Sequence, residues 1–271
     1  MCDGEPTAPD HAPRVAPSCA NHPRSKNENK ESACVADGTL AYQNLFLAVL
    51  PPRDLALLRP TLQFVELPQG DVLSEPGQRV SDVVFIEAGM VSLLTTMQDG
   101  SAIEIATLGR ESITGVLSAI GDHRSNVRAI VQIRGSAWKI RAGDFRAAVD
   151  KSSTLRNLVL LSSELATAQM QQIAACNALH SAEARLCRWI LQVRDRIDGD
   201  VIALTQDFLA QMLAVRRPTV TLIAQKLQSA GLIRYRRGRI TITDHEGLEK
   251  LACECVGEIR RKTRQILTDL G

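Results

Sequence analysis

The sequence predicts an α+β chain in three consecutive parts: an antiparallel β-barrel or jelly roll, one long helix, and a small helical domain closed by a basic hairpin. Three observations carry this. Between residues 61 and 141, short apolar runs alternate with glycine- and proline-containing turns. From about residue 153, apolar positions recur at steps of three and four, without a glycine or proline before Leu179. Beyond residue 204, two short helical patterns run into a hairpin whose tip is almost entirely arginine.

The chain of 271 residues is 45% apolar and 23% charged, which excludes collagen-like, mucin-like and wholly disordered classes. Aromatic residues are only 3%, so the core rests on Leu, Ile, Val and Ala. Residues 1–38 hold five of the eleven prolines and little apolar pattern, and read as a disordered tail. No apolar run approaches the ~18 residues of a membrane span, and no secretory signal is expected. The motifs of serine hydrolases, phosphate-binding loops, zinc proteases and dinucleotide folds are missing, so an enzyme is not expected.

Elements follow in order. Leu40–Leu58 reads as one or two short helices broken at Pro51-Pro52. Strand runs follow at Leu62–Leu67, Val72–Leu73, Val83–Ile86, Met90–Met97, Ala102–Leu108, Val127–Ile133 and Ala137–Ile140. Asp99-Gly100 between two alternating runs predicts a type I′ hairpin, with positive φ at both residues. A short helix over Gly143–Val149 leads into the long one. There Leu158, Leu161, Leu165, Ala168, Gln172, Ala175 and Leu179 form a heptad seam, expected to pair with a second copy of the chain.

A further amphipathic helix spans Ala182–Ile197, with Ser181 as N-cap, and ends at Asp198-Gly199-Asp200. Thr205 caps a short helix to Leu213. Ala214-Val215 turns the chain, and Arg217–Ala230 forms a second helix, with Pro218 in its first turn and Gly231 as its stop. Leu209, Met212, Leu213, Val220, Ile223 and Leu227 are placed to share a core. The hairpin pairs Leu232–Tyr235 with Ile240–Ile242. Residues 205–240 carry a net charge of +6 in a chain of +2, leaving −4 for the remainder. Helix, turn, helix and basic hairpin in this order make a winged helix-turn-helix, whose partner is double-stranded DNA. Arg216, Arg217, Thr219 and Thr221 fall where such a helix enters the major groove. Thr205, Lys226, Arg236, Arg237 and Arg239 complete the expected DNA-binding set.

Residues 204–242, LTQDFLAQMLAVRRPTVTLIAQKLQSAGLIRYRRGRITI, resemble the DNA-binding domain of the Crp/Fnr family of bacterial transcription regulators. The upstream strands and long helix stand where that family has its cyclic-nucleotide-binding-like barrel and dimerisation helix, so the resemblance runs over about residues 39–255. It implies a sensor domain at 39–150, a dimerisation helix at 151–180 and a DNA-binding domain at 181–271. It also implies a cytoplasmic homodimer on a near-palindromic operator, with RNA polymerase as a further partner. The alternative is a ligand-binding or thiol-redox signalling module whose DNA binding is secondary.

The chain departs from the family pattern at several positions. The family's recognition helix opens Arg-Glu-Thr-Val, with another Arg four residues after that Glu. Here Pro218 and Leu222 fill the Glu and second Arg positions, so a different operator is expected. Ala214 replaces a turn glycine, which a bend with negative φ would tolerate. In the sensor, Gly115-Val116 stands where cyclic-AMP binders have Gly-Glu, and Arg124-Ser125 matches their Arg-Ser. Without the carboxylate, cyclic nucleotide is not expected as ligand; Glu111 would substitute only if the chain path differed.

The seven cysteines, Cys2, Cys19, Cys34, Cys176, Cys187, Cys253 and Cys255, are expected as reduced thiols in a cytoplasm. Their spacing matches no standard metal motif, and neither do His11, His22, His123, His180 and His245, so no metal is expected. Cys176 and Cys187 flank the joint between sensor and DNA-binding parts.

Overall fold

The computed structural model describes residues 35–36, 39–40, 42–197 and 199–268. Most of the expected tail, with its three cysteines and His11 and His22, lies outside the described residues. Met1–Leu40 forms a unit by itself, within which β1 (Val35–Ala36) pairs antiparallel with β2 (Thr39–Leu40). So Val35 and Ala36, read as part of the disordered tail, are paired backbone.

The unit from Ala41 onward opens with α1 (Leu45–Ala48) and α2 (Pro52–Leu58), parted at the two prolines as expected. The sensor strands are β3 (Gln63–Leu67), β4 (Val72–Ser74), β5 (Asp82–Thr96), β6 (Ala102–Leu108), β7 (Ile113–Thr114) and β8 (Arg128–Arg141), with α3 (Val116–Ile120) before the last. Their antiparallel order is β3-β8-β5-β6, with β4 on β8 and β7 on β5. Two strands expected as pairs of short runs are continuous here. β5 and β8 each bend at a glycine. A Cβ at Gly89 would stand 2.5 Å from the Ile133 carbonyl oxygen, and one at Gly135 only 1.9 Å from that of Ala88. Backbone-to-backbone approach this close excludes any side chain, and the register shifts between Ile86 and Val91 mark the bend.

The turn after β5 also differs from expectation. Only Gly100 takes positive φ (82°), with Gly100 N–H bonded to Met97 O and Met97 N–H to Ser101 O. This three-residue loop with a bulge replaces the type I′ turn, and Asp99 instead accepts from the Ser101 N–H at 2.9 Å.

α4 (Ala142–Lys151) leads into α5 (Ser153–Leu179), capped by Ser152, whose Oγ accepts from Leu155 N–H at 3.0 Å. After it come α6 (Ala182–Arg194), β9 (Val201–Ala203), α7 (Gln206–Leu213), α8 (Arg217–Ser229), β10 (Ile233–Arg236), β11 (Arg239–Ile242), α9 (His245–Leu251) and α10 (Cys255–Thr268). Sequence reading missed β9, which pairs with β11, and both C-terminal helices. Missing α10 shifted the reading of α5. α10 packs along α5, and its Ile266 joins Leu155, Leu158, Val159 and Leu165 in one core cluster. Leu158 and Leu165 are therefore buried within the protomer and unavailable to a partner. Leu161, Ala168 and Gln172 are half-buried, and Ala175, Leu179 and, nearer the start of the helix, Leu160 are exposed.

The barrel and the C-terminal helices share a core. Met90 and Leu94 of β5 pack with Leu186, Trp189 and Ile190 of α6. Within it Trp189 Nε1 donates to Glu104 of β6 at 3.0 Å, and Ser92 Oγ donates to the same carboxyl at 2.6 Å. Arg196 donates through Nε to Glu111 at 2.9 Å beside this contact. Burial pushes the Glu104 carboxyl from 4.5 up to about 7, against the pull of Ser92, Arg188, Trp189 and Arg196. Between those values the folded chain holds a proton that the unfolded chain releases. Stability therefore falls as pH rises through that window and levels off above it, by roughly 3 kcal/mol. Glu104→Gln keeps an acceptor for the indole. It is expected to flatten the fall in thermal midpoint between about pH 5 and pH 8. Melts of both proteins across that range check it; an equally steep fall in the variant places the dependence elsewhere.

Candidate nucleic-acid interface

α7 begins where Thr205 Oγ1 accepts from Phe208 N–H at 3.3 Å, and Leu209, Met212 and Leu213 anchor it in the core. The turn is tighter than expected. Ala214 sits at φ 49° and ψ 47°, left-handed rather than negative, which costs a residue with a Cβ about 1–2 kcal/mol. This places Val215 N–H on Ala210 O at 3.0 Å and starts α8 immediately afterwards. Pro218 occupies the first turn of α8, where its missing N–H costs no helical bond. Val220, Ala224 and Leu227 face inward with Ile223 packed beside them, as the periodicity required.

The outer face of α8 presents Arg216, Arg217, Thr219, Leu222 and Lys226. Arg217 Nη1 lies 3.2 Å from Asp207, with both side chains more than 60% exposed, so water screens this pair and DNA can displace it. Thr221 is half-buried and donates to Gln206 Oε1 at 2.9 Å, which turns it toward α7. Lys226 contacts Glu183 of α6 at 2.6 Å. Leu222, read from sequence only as a lost guanine donor, is 67% exposed in the middle of the face. An apolar side chain there suits a thymine methyl group.

In the wing, β10 and β11 pair from Ile233↔Ile242 to Arg236↔Arg239. Two residues connect them, Arg237 at φ 50° and Gly238 at φ 71°, the signs of a type I′ turn. Arg236, Arg237 and Arg239 are all exposed. Tyr235 ties the wing to the helices, its N–H donating to Gln228 at 2.7 Å and its hydroxyl to Leu204 O at 3.1 Å. A cleft lined by Thr205, Gln206, Asp207, Arg217, Tyr235 and Arg237 lies between wing and helices.

The sensor candidates lie apart from this face. Gly115 has φ 83°, and a Cβ there would stand 2.5 Å from Asp82 O, so backbone geometry explains the glycine. Val116 is buried in the barrel-side core. Arg124 is exposed and donates to Gly77 O at 2.6 Å, whereas Ser125 is buried against Ser74 Oγ at 3.2 Å. Glu111 is taken by Arg196 and does not stand in for the lost carboxylate.

The cysteine and histidine spacing, which suggested no metal ligands, conceals a cluster. The ligand atoms of Cys176, His180, Cys253 and Cys255 lie within 4.8 Å of one another. The neighbouring Cys253 thiol, with Arg188 and His180 nearby, holds the Cys176 thiol well below its ordinary value despite burial. Cys187 lies elsewhere in the core, where burial pushes its thiol up to about 12 and leaves it inert. The legible signal was Cys176-x3-His180, one helical turn on one face of α5.

Two domain families match the chain. Residues 64–152 match the cyclic nucleotide-binding domain, and residues 184–251 match the Crp-like helix-turn-helix domain. A global nitrogen regulator from Synechococcus elongatus is 25% identical over 212 residues, covering 75% of this chain and 95% of its own. The fold is shared with a Crp/Fnr-family regulator from Eubacterium rectale, at TM-score 0.62 and 17% identity over 74% of this chain and 94% of that one. FixK2 from Bradyrhizobium japonicum aligns at TM-score 0.61 and 14% identity, over 71% and 98%. A cyclic-nucleotide-binding-type sensor followed by a Crp-like helix-turn-helix defines a transcription regulator rather than an enzyme. The chain belongs to the Crp/Fnr family. Among the described residues no helix is long and apolar enough to cross a membrane.

The conformation of Arg237 yields a test. Asn tolerates positive φ better than Arg does. Arg237→Asn is expected to leave the chain as stable or up to ~1 kcal/mol more stable. The same change should weaken binding to all DNA sequences alike and lower the salt slope by about 1. Urea unfolding and binding at several salt concentrations check both. Unchanged DNA affinity would remove Arg237 from the interface.

Proposed function

We propose that the chain is a homodimeric, sequence-specific regulator that binds near-palindromic DNA through α8 and grips phosphates with its wing. The supporting observation is Arg217, exposed at the N-terminal end of an outward helix beside an arginine-rich hairpin tip. Its guanidinium carries two donors spaced for guanine O6 and N7. Arg216 and Thr219 flank it. Leu222 adds an apolar contact, and Arg236, Arg237 and Arg239 supply charge without sequence preference. Thr205 lines the cleft beside the wing. Thr221 and Lys226, held by Gln206 and Glu183, act by positioning α8 unless DNA releases them. The signal enters through the sensor domain, 39–150; the long helix, 151–180, joins the copies; and 181–271 reads DNA. RNA polymerase and a cytoplasmic setting belong to the same reading. Cyclic nucleotide is disfavoured as the signal, because Val116 is buried and Arg124 is turned onto backbone.

Arg217→Lys keeps the charge but loses the fork. Specific affinity is expected to fall by ~1–3 kcal/mol per half-site, with preference relaxed at one guanine, while non-specific affinity holds. Half-site centres should lie ~34–36 Å apart. Selection of sites from random DNA with both proteins checks this. An unchanged consensus would assign the readout to Arg216 or Leu222.

The dimer contact is assigned to the outward face of α5, around Leu160, Leu161, Ala168, Ala175 and Leu179. Leu160→Glu with Leu161→Glu is expected to give folded monomers in sedimentation, since neither side chain is fully buried. Leu165→Glu instead should unfold the protomer, because that position lies in its own core. A double variant that stays dimeric would move the contact elsewhere.

A further inference from the structure

Four soft or borderline ligands converge at the lower end of α5. Cys176 stands in the last turn of that helix and His180 is its C-cap; Cys253 comes from the segment between α9 and α10, and Cys255 opens α10. Cys176 Sγ lies 3.5 Å from Cys253 Sγ, and Cys255 Sγ lies 3.5 Å from His180 Nδ1. Sulfur and nitrogen donors about 2.0–2.3 Å from one ion stand roughly 3.3–3.8 Å apart at the corners of a tetrahedron. Both of these observed spacings fall within that range, and all four ligand atoms lie within 4.8 Å of one another. A two-iron cluster would spread its ligand pairs over two ions and hold them further apart.

The surroundings fit a thiolate-bound cation. His180 Nε2 lies 3.2 Å from Glu254, which fixes the ring and leaves Nδ1 facing Cys255, the carboxylate–histidine arrangement that accompanies metal ligation. Gln172 Nε2 donates to Cys255 Sγ at 3.1 Å. Arg185 and Arg188 are buried nearby. Among the described residues the Nε of each meets no hydrogen-bond acceptor. Three thiolates and a divalent ion sum to one negative charge, which a neighbouring guanidinium offsets.

We propose that Cys176, His180, Cys253 and Cys255 bind one Zn²⁺ ion in a closed tetrahedral site. All four corners are protein ligands, so the ion is structural. It joins the end of the long helix to the segment that closes the DNA-binding domain, across His180 and the Ser181 cap of α6. Occupancy releases the thiol protons and holds that hinge. The site is independent of the DNA-binding assignments, so either can fail alone.

The test titrates the reduced, metal-free full chain with Co²⁺, whose absorption reports geometry and thiolate ligation. The expected result is uptake of one equivalent with tetrahedral bands and sulfur charge transfer, displaced by Zn²⁺. Cys176→Ser and Cys255→Ser should each weaken uptake at least tenfold, and Cys187→Ser should leave it unchanged. The wild type should also lose thermal stability on chelation. The wild-type spectrum needs no variant to fold. Weak octahedral bands, no stoichiometric uptake, or a reduced chain that only forms a Cys176–Cys253 disulfide would overturn the proposal, as would full uptake by both serine variants.

Discussion

The Trp189 indole donating to the buried Glu104 carboxyl holds the sensor barrel to the DNA-binding part. Trp189 is 1% exposed and sits in a core cluster that contains residues of both parts. Its apolar area is buried only when β5 and α6 are docked, and its N–H is satisfied only by a carboxyl from β6. The polar contact thereby fixes the register of an otherwise non-directional interface. Arg196 of the DNA-binding part meets Glu111 just beyond β6, and Gln169 of α5 meets Thr107 within it. The barrel and α6 are thereby joined by close packing and by hydrogen bonding at once.

The long helix serves three neighbours at once, which explains its mixed composition. One side packs on the barrel, where Gln169 meets β6. A second is covered by α10, and the third faces outward with Leu160 and Leu179. A helix with apolar residues on more than one side has no clean amphipathic stripe. The steps of three and four in its sequence therefore blend two faces into one seam. Leu158 and Leu165 satisfied that seam arithmetically yet belong to the protomer's own core.

Three described residues with a side chain take positive φ, His123 before β8, Ala214 in the helix turn and Arg237 at the wing tip. The last two stand in the DNA-binding part, and each costs of order a kilocalorie relative to glycine. At Arg237 the cost coincides with an exposed cation at the wing tip, the pattern of strain retained for a contact. At Ala214 no such contact is evident, and the geometry is imposed by Val215 closing onto Ala210.

Local chemistry in the sequence determined the element types, both short recognition helices, the caps at Ser181 and Thr205, the helix stop at Gly231 and the arginine wing. Each depends on residues within a few positions of one another, where propensity, capping and charge act directly. The tertiary structure decided what depends on distant partners. Strand breaks at Gly89 and Gly135 became bends because two backbones cross there. The outward face of α5 was set by α10. Glu111 was claimed by Arg196, 85 residues away. The thiol cluster joins Cys176 to Cys253 across 77 residues, and ligand geometry of that kind exists only once the chain has folded back on itself.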